Sequence, residues 1–238
     1  MAASDVHVGT AGWAIPLNVR ERFAGDGSRL ERYARRFRCV EINSSFYRPH
    51  RRATYERWAA SVGPGFRFAV KVPKEITHVR RLVDCGDVLD RFLDEAAGLG
   101  DKRAVLLVQL PPRLAFDAAV AEAFFAALHA RTDAALVCEP RNASWFAEDA
   151  DLLLRAHGVA RAAADPAIVP AAAVPGGWRG MTYVRLHGSP QIYTSSYDAA
   201  RLHDVATMLA AAPAAAWCIF DNTRFGAAIE NALALRGA

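Results

Sequence analysis

Eight short β-rich runs recur along this chain at intervals of about 30 residues, the length of a strand, a helix and two turns. They are Val6–Thr10, Val40–Asn43, Phe68–Val72, Ala104–Leu110, Ala135–Glu139, Ala160–Asp165, Thr182–His187 and Ala216–Asp221. Amphipathic stretches lie between them: Leu30–Phe37, Thr54–Ser61, Val88–Leu99, Ala118–Ala130, Ala147–His157, Ala199–Ala211 and Gly226–Leu235. Asp117 and Asp198 stand where helix N-caps belong. The interval Pro166–Arg179, rich in Pro, Ala and Gly, predicts a loop or a short, degenerate helix. A strict β-then-α rhythm requires parallel strands joined by crossover helices, and these close either as an open doubly wound sheet or as a (β/α)8 barrel. No GxGxxG fingerprint follows the first run, no linker divides residues 1–238, and Glu41, Lys71, Gln109 and Arg185 place polar groups in or at the ends of strands. The expectation is an α/β fold, a single-domain TIM (β/α)8 barrel over residues 1–238 with a short or degenerate sixth helix. No antiparallel strand is expected among the central eight.

Composition removes several function classes. Hydrophobic residues make up 53% of the 238 and charged residues 23%, which supplies a sizeable core and excludes global disorder. Cys39, Cys85, Cys138 and Cys218 form no CxxC and no Cys/His zinc pattern. Residues 1–5 show no signal-peptide pattern, and no apolar run approaches the ~18 residues of a membrane span. These features predict a soluble, reduced, cytoplasmic protein without a membrane partner. Charge is uneven: residues 1–81 carry 16 Lys and Arg against 7 Asp and Glu, a net +9, and the remainder carries 13 against 18. Either Arg29, Arg32, Arg35 and Arg36 form the wet face of one helix, or the basic third attracts nucleic acid or an anionic metabolite.

In a barrel the active site forms at the C-terminal ends of the strands. Polar residues gather at those ends here: Glu41 and Asn43, Lys71 with His78 further on, Gln109, Glu139 and Arg141, Asp165, Arg185 and His187, and Asp221 with Asn222. The segments GTAGW (9–13), VEINSSFYRP (40–49), FRFAVKVPKEITH (66–78), LVQLPP (107–112), EPRNASWF (139–146), YVRLHGSP (183–190) and FDNTRFGAAIENAL (220–233) follow in order over nearly the full length. In these segments the chain resembles the DUF72, or YecE-like, family. That resemblance implies a TIM-barrel fold and supplies no reaction. Pro140 and Asn142 stand where the family usually has an aromatic and a histidine around the strand-five arginine, and Asp221 stands where it usually has Asn.

The residues themselves suggest roles. A carboxylate in an apolar strand is either paired or catalytic, because unpaired burial costs several kcal/mol. Glu41, Glu139 and His187 are therefore the candidate proton-transfer groups, imidazole titrating near neutral pH. Asn43, Tyr47, Lys71, His78, Gln109, Arg141, Arg185 and Asn222 are the candidate substrate-binding groups, the cations matching carboxylate or phosphate. Trp13, Tyr47 and Tyr193 are candidate pocket walls. The leading reading is general acid–base catalysis on a small anionic substrate. A second is a divalent-metal phosphodiesterase or sugar isomerase-like enzyme using Glu41, Glu139, His187 and Asp221, although no HxH, HxxE or HExxH spacing supports it. A third is a non-catalytic nucleic-acid or metabolite binder. No organic-cofactor motif is present, and the sequence leaves the oligomeric state open. Strand alternation also leaves open which of Asp221 and Asn222 faces the barrel axis. If Glu41 and Glu139 crowd one open site, then Glu139→Gln, and likewise Glu41→Gln, should leave stability unchanged or raise it.

Overall fold

A computed structural model describes residues 6–237; residues 1–5, read above for targeting, lie outside the described residues. The strands are β1 (Val6–Thr10), β2 (Cys39–Ile42), β3 (Arg67–Lys71), β4 (Arg103–Gln109), β5 (Ala135–Glu139), β6 (Val159–Arg161), β7 (Ala163–Asp165), β8 (Gly176–Gly177), β9 (Met181–Leu186) and β10 (Ala215–Phe220). The helices are α1 (Arg29–Ala34), α2 (Arg52–Ala60), α3 (Gly86–Ala96), α4 (Ala118–His129), α5 (Glu148–Ala156), α6 (Ala199–Ala210) and α7 (Ala227–Gly237). Asp117 caps α4 by accepting from Val120 N, and Asp198 caps α6 by accepting from Arg201 N. Ser28 and Glu31 form a capping box at α1. Among the described residues no helix is long and apolar enough to cross a membrane.

The ladders form two sheets, β2-β3-β4-β5-β6-β8 and β1-β10-β9-β7, and every pairing is parallel except β6 with β8. Two seams join them into a barrel-like ring. At the first, the sixth strand breaks at Ala162, so that β6 pairs with β5 and β7 pairs with β9, while Ala162 N donates to Cys138 O. At the second, β1 meets β2 through one bridge between Ala11 and Glu41. The hydroxyl of fully buried Tyr33, from α1, stands in for the missing ladder below that bridge. It accepts from Thr10 N at 3.0 Å and donates to Cys39 O at 3.1 Å. Gly9 makes this approach feasible, since a Cβ there would lie 2.5 Å from Cys39 O.

Burial separates two apolar layers. Val40, Ile42, Phe68, Val70, Leu106, Val108 and Cys138 pack outward against helices. Cys39, Ala69, Val105, Leu107, Val137, Ala160, Ala162, Tyr183, Trp217 and Ile219 fill the ring. This is the alternation expected of strands covered on one face by helices and on the other by one another. The sixth helix is absent. In its place a 3₁₀ turn at Pro170–Ala173 leads to β8, the one antiparallel segment among the described residues, which lies outside the central ring. Asp151 of α5 holds this excursion by accepting from Gly177 N at 2.7 Å and pairing with buried Arg161 at 3.4 Å. In the basic N-terminal third, α1 ends at Ala34. Arg35 then donates to the carbonyls of Ala24 and Asp26, and Arg36 to that of Arg22, so these two cations brace a loop.

Tyr33→Phe leaves a buried N–H and a buried carbonyl unpaired at the β1–β2 seam. It is expected to lower stability by about 1–3 kcal/mol in urea melts. An unchanged midpoint would show that the seam does not depend on this hydroxyl.

Candidate functional site

The mouth of the ring collects charge around one guanidinium. Arg185, the fifth residue of β9, has no exposure. Its Nε donates to Glu41 Oε2 at 3.0 Å and its Nη2 to Glu41 Oε1 at 2.6 Å, a bidentate pair that Tyr183 extends by donating to Glu41 Oε2 at 3.1 Å. Its Nη1 donates to Glu139 Oε2 at 2.6 Å, and Nη2 also reaches Asp221 Oδ2 at 3.2 Å. Parity accounts for the convergence: Glu41 follows Cys39, Glu139 follows Val137, Arg185 follows Tyr183 and Asp221 follows Ile219, all on the inward face. Glu41 and Glu139 point into the ring, with Arg185 between them.

Electrostatics decides the charge states. Burial alone would raise the Glu139 carboxyl, but Arg185, Arg141 and His187 hold it well below the usual carboxylate range. Burial likewise opposes ionisation of Asp221, and Arg185 together with the hydrogen bond from His187 outweighs it. Burial disfavours the Arg185 cation, and Glu139, Glu41 and Asp221 reverse that effect, raising it well above its ordinary value.

His187 is fully buried between two carboxylates. Its Nδ1 lies 3.0 Å from Asp221 Oδ2, an acceptor, so Nδ1 carries a hydrogen. Its Nε2 lies 2.8 Å from Glu139 Oε1 and 2.7 Å from Arg141 Nη2. A protonated Nε2 donates to Glu139, and a bare Nε2 accepts from Arg141, so each state finds a partner with the heavy atoms where they stand. Tyr193, at φ +67 on the loop after β9, sets its ring edge-on to this imidazole at 6.1 Å between centroids.

Lys71, at the end of β3, is 4% exposed, and its Nζ lies 4.2 Å from the centre of the Phe46 ring. Among the described residues Nζ makes no hydrogen bond and has no carboxylate within 4.0 Å. Burial, then repulsion from Arg185, pushes its ammonium down to about 8. Ser45 ties this corner together by bonding to the carbonyls of Lys71 and Ile42. Arg141 is engaged through Nη2, while its buried Nε has no partner among the described residues. Asn43, at the turn after β2, and Gln109, at the end of β4, make no side-chain hydrogen bond among the described residues.

The other sequence candidates lie apart. Tyr47 is 73% exposed and lines a cavity of about 260 Å³ outside the mouth with Val79 and Phe92. His78 sits behind Phe46 on a π-helical turn, its Nδ1 2.8 Å from Thr77 Oγ1, with burial and the charge of Lys71 lowering its basicity. Asn222 turns outward and donates to Ser195 O and Asn231 Oδ1, so Asp221 is the residue that faces the axis. Asp165 also faces outward, paired with Arg201 at 2.6 Å. Trp13 packs against Trp58. No role for Phe46 is legible in the sequence, because no periodicity distinguishes it from a packing residue.

Because Arg185 separates the glutamates, the expectation that neutralising either would be harmless is replaced. Glu41→Gln and Glu139→Gln each strand part of a buried guanidinium and are expected to cost about 3–5 kcal/mol in melts at neutral pH. Glu139 titrates below 4.5 in the folded protein, so its contribution is complete above 4.5 and is lost as pH falls through the depressed value. The Glu139→Gln variant should therefore show a shallower acid loss of stability than the parent protein.

Comparison with known proteins agrees with this architecture. The chain is 32% identical over 106 residues to the UPF0759 protein YecE of Escherichia coli K12; that match spans 44% of this chain and 38% of the relative's length. It is 25% identical over 199 residues to the UPF0759 protein YunF of Bacillus subtilis, spanning 77% of this chain and 70% of that protein. A DUF72 family protein of Enterococcus faecalis V583 superposes with a TM-score of 0.80 at 19% identity, covering 98% of this chain and 94% of that one. One from Thermotoga maritima MSB8 gives 0.78 at 22% identity, covering 98% of both. At those identities the likeness carries the fold alone. Residues 7–238 match the family described as protein of unknown function DUF72, and with that match across nearly its whole length the chain belongs to the DUF72 family.

Proposed function

We propose that the mouth binds a small anionic ligand, bearing a carboxylate or a phosphate, and that His187 exchanges a proton with it. Lys71 is the observation that carries this reading. A buried ammonium with no direct ion pair among the described residues is costly, and the attraction of Glu41, Glu139 and Asp221 does not outweigh burial and the repulsion from Arg185. Its displacement from 10.5 to about 8 corresponds to a cost on the order of 3 kcal/mol at neutral pH. An anion between Lys71 and the unpartnered Nε of Arg141 would supply the missing charge.

In this reading the engaged residues divide the work. Asp221 fixes the tautomer of His187, and Glu139 and Arg141 offer Nε2 an acceptor or a donor as its proton arrives or leaves. Glu41, with both oxygens on Arg185, is a positioning residue. A divalent metal fits the donor set poorly, because Arg185 already stands among the three carboxylates as their cation. Among the described residues no three His, Cys, Asp or Glu side chains form a metal-holding group.

Calorimetric titration with inorganic phosphate tests the proposal. Binding needs the charged ammonium, so affinity should fall about tenfold per pH unit as pH rises above about 8. Lys71→Met should abolish binding and raise the melting temperature at neutral pH, since it removes a destabilising charge. Without ligand the parent protein should gain stability between pH 8 and 10.5, where the unfolded chain binds more protons. Phosphate binding that ignores pH, or that survives in Lys71→Met, would remove the basis of the reading.

A further inference from the structure

Three unengaged polar side chains line one side of the mouth. Along the β2–β3 ladder Glu41 pairs with Ala69 and Ile42 with Val70, and the next residues of the two strands are Asn43, which opens the 3₁₀ turn after β2, and Lys71, which ends β3. On β4, the next strand, Gln109 lies on the inward face of Val105 and Leu107, just beyond Leu107, the partner of Lys71. The result is an ammonium at the end of β3, with one amide at the end of the neighbouring β4 and the other just past the end of β2. Neither amide is hydrogen-bonded to any other described residue, and the Oδ1 atom of Asn43 is buried without a partner. The opposite side, formed by Glu139, Arg185, His187 and Asp221, is saturated with mutual hydrogen bonds. Apart from His187 Nε2, which can trade Glu139 for Arg141, that side of the mouth is committed to itself, and the side chains on the Lys71 side are unengaged among the described residues.

The Lys71 side differs from a plain anion site. An ionised carboxylate or a fully ionised phosphate monoester only accepts hydrogen bonds, so it would satisfy Lys71 and Arg141 Nε and leave the buried Asn43 Oδ1 unpaired. A hydroxyl next to the anionic group donates to that oxygen and can accept from an amide nitrogen. From this we infer that the ligand is a hydroxylated anion, of the hydroxy-acid or sugar-phosphate class, and that Asn43 and Gln109 read its hydroxyl groups beside Lys71. The inference rests on the anion-binding reading above and adds the part of the ligand next to the charge. A site with a buried acceptor discriminates against an analogue lacking the matching donor, because that analogue leaves the acceptor desolvated and unpaired.

Calorimetry on the whole chain at pH 7 with two matched pairs tests it: glycerol 3-phosphate against propyl phosphate, and lactate against propionate. The hydroxylated member of at least one pair should bind about tenfold more tightly or better, and the pair that shows it separates a phosphate from a carboxylate ligand. Asn43→Leu and Gln109→Leu should shrink that ratio toward one while retaining affinity for the plain anion. Lys71→Met should lose both members. Equal affinity within both pairs, or a preference that persists in Asn43→Leu and Gln109→Leu alike, overturns the hydroxyl inference and leaves anion binding standing. If none of the four anions binds the parent protein, both readings fall together.

Discussion

Arg185 carries a charge that it cannot shed, and none of its surface reaches solvent. Such a group is tolerable only where counter-charges meet its fork in good geometry. Glu41, Glu139 and Asp221 do so from β2, β5 and β10. Glu41 and Glu139 belong to one sheet, and Arg185 and Asp221 to the other. Only curvature brings all of them to one point, so the ion cluster acts as a lock on closure. A one-residue slip of any of these strands would turn its carboxylate into the helix layer and leave the guanidinium short of a partner.

The floor below the cluster explains why its charges interact strongly. Tyr183, Ile219, Leu107, Val137 and their neighbours fill the ring with apolar atoms, so the electrostatic interactions at the mouth act through a poorly polarisable medium. The same floor has a weak side at the β1–β2 seam, where the ladder shrinks to one bridge and the hydroxyl of Tyr33 completes the hydrogen bonding from outside. Closure therefore depends on α1 as well as on strand pairing. The loss of the sixth helix is offset more locally: Asp151 and Arg161 fasten a two-residue antiparallel segment over the gap.

Engaged and unengaged polar groups meet at the mouth. Glu41 and Tyr183 spend their polar atoms on Arg185, and their role is positional. His187 differs because its two nitrogens face opposite demands, and Nε2 has an acceptor and a donor at nearly equal distance. Lys71 differs again, since its cation lies over the Phe46 ring with no ion pair among the described residues. A folded chain that keeps such a charge buried gives up stability, a pattern that accompanies binding sites more readily than scaffolding.

Much of this was legible in the chain because strand alternation is a local rule. The 30-residue rhythm determined the parallel α/β architecture, the Pro- and Gly-rich interval marked the missing helix, and period two placed Glu41, Lys71, Glu139, Arg185 and His187 on one face. Alternation could not choose between Asp221 and Asn222, because both faces of β10 are apolar and parity needs a reference. The tertiary structure supplied it by placing Trp217 and Ile219 inside the ring. Nor could sequence tell which charges are satisfied. Whether a carboxylate is crowded or paired depends on side chains more than a hundred residues away, as for Glu41 with Arg185, and only closure of the ring fixes those distances. The residue types and their facing were thus set by local periodicity. Their pairing, and with it the difference between the side chains that are engaged and those that are not, was decided by the three-dimensional convergence of the strands.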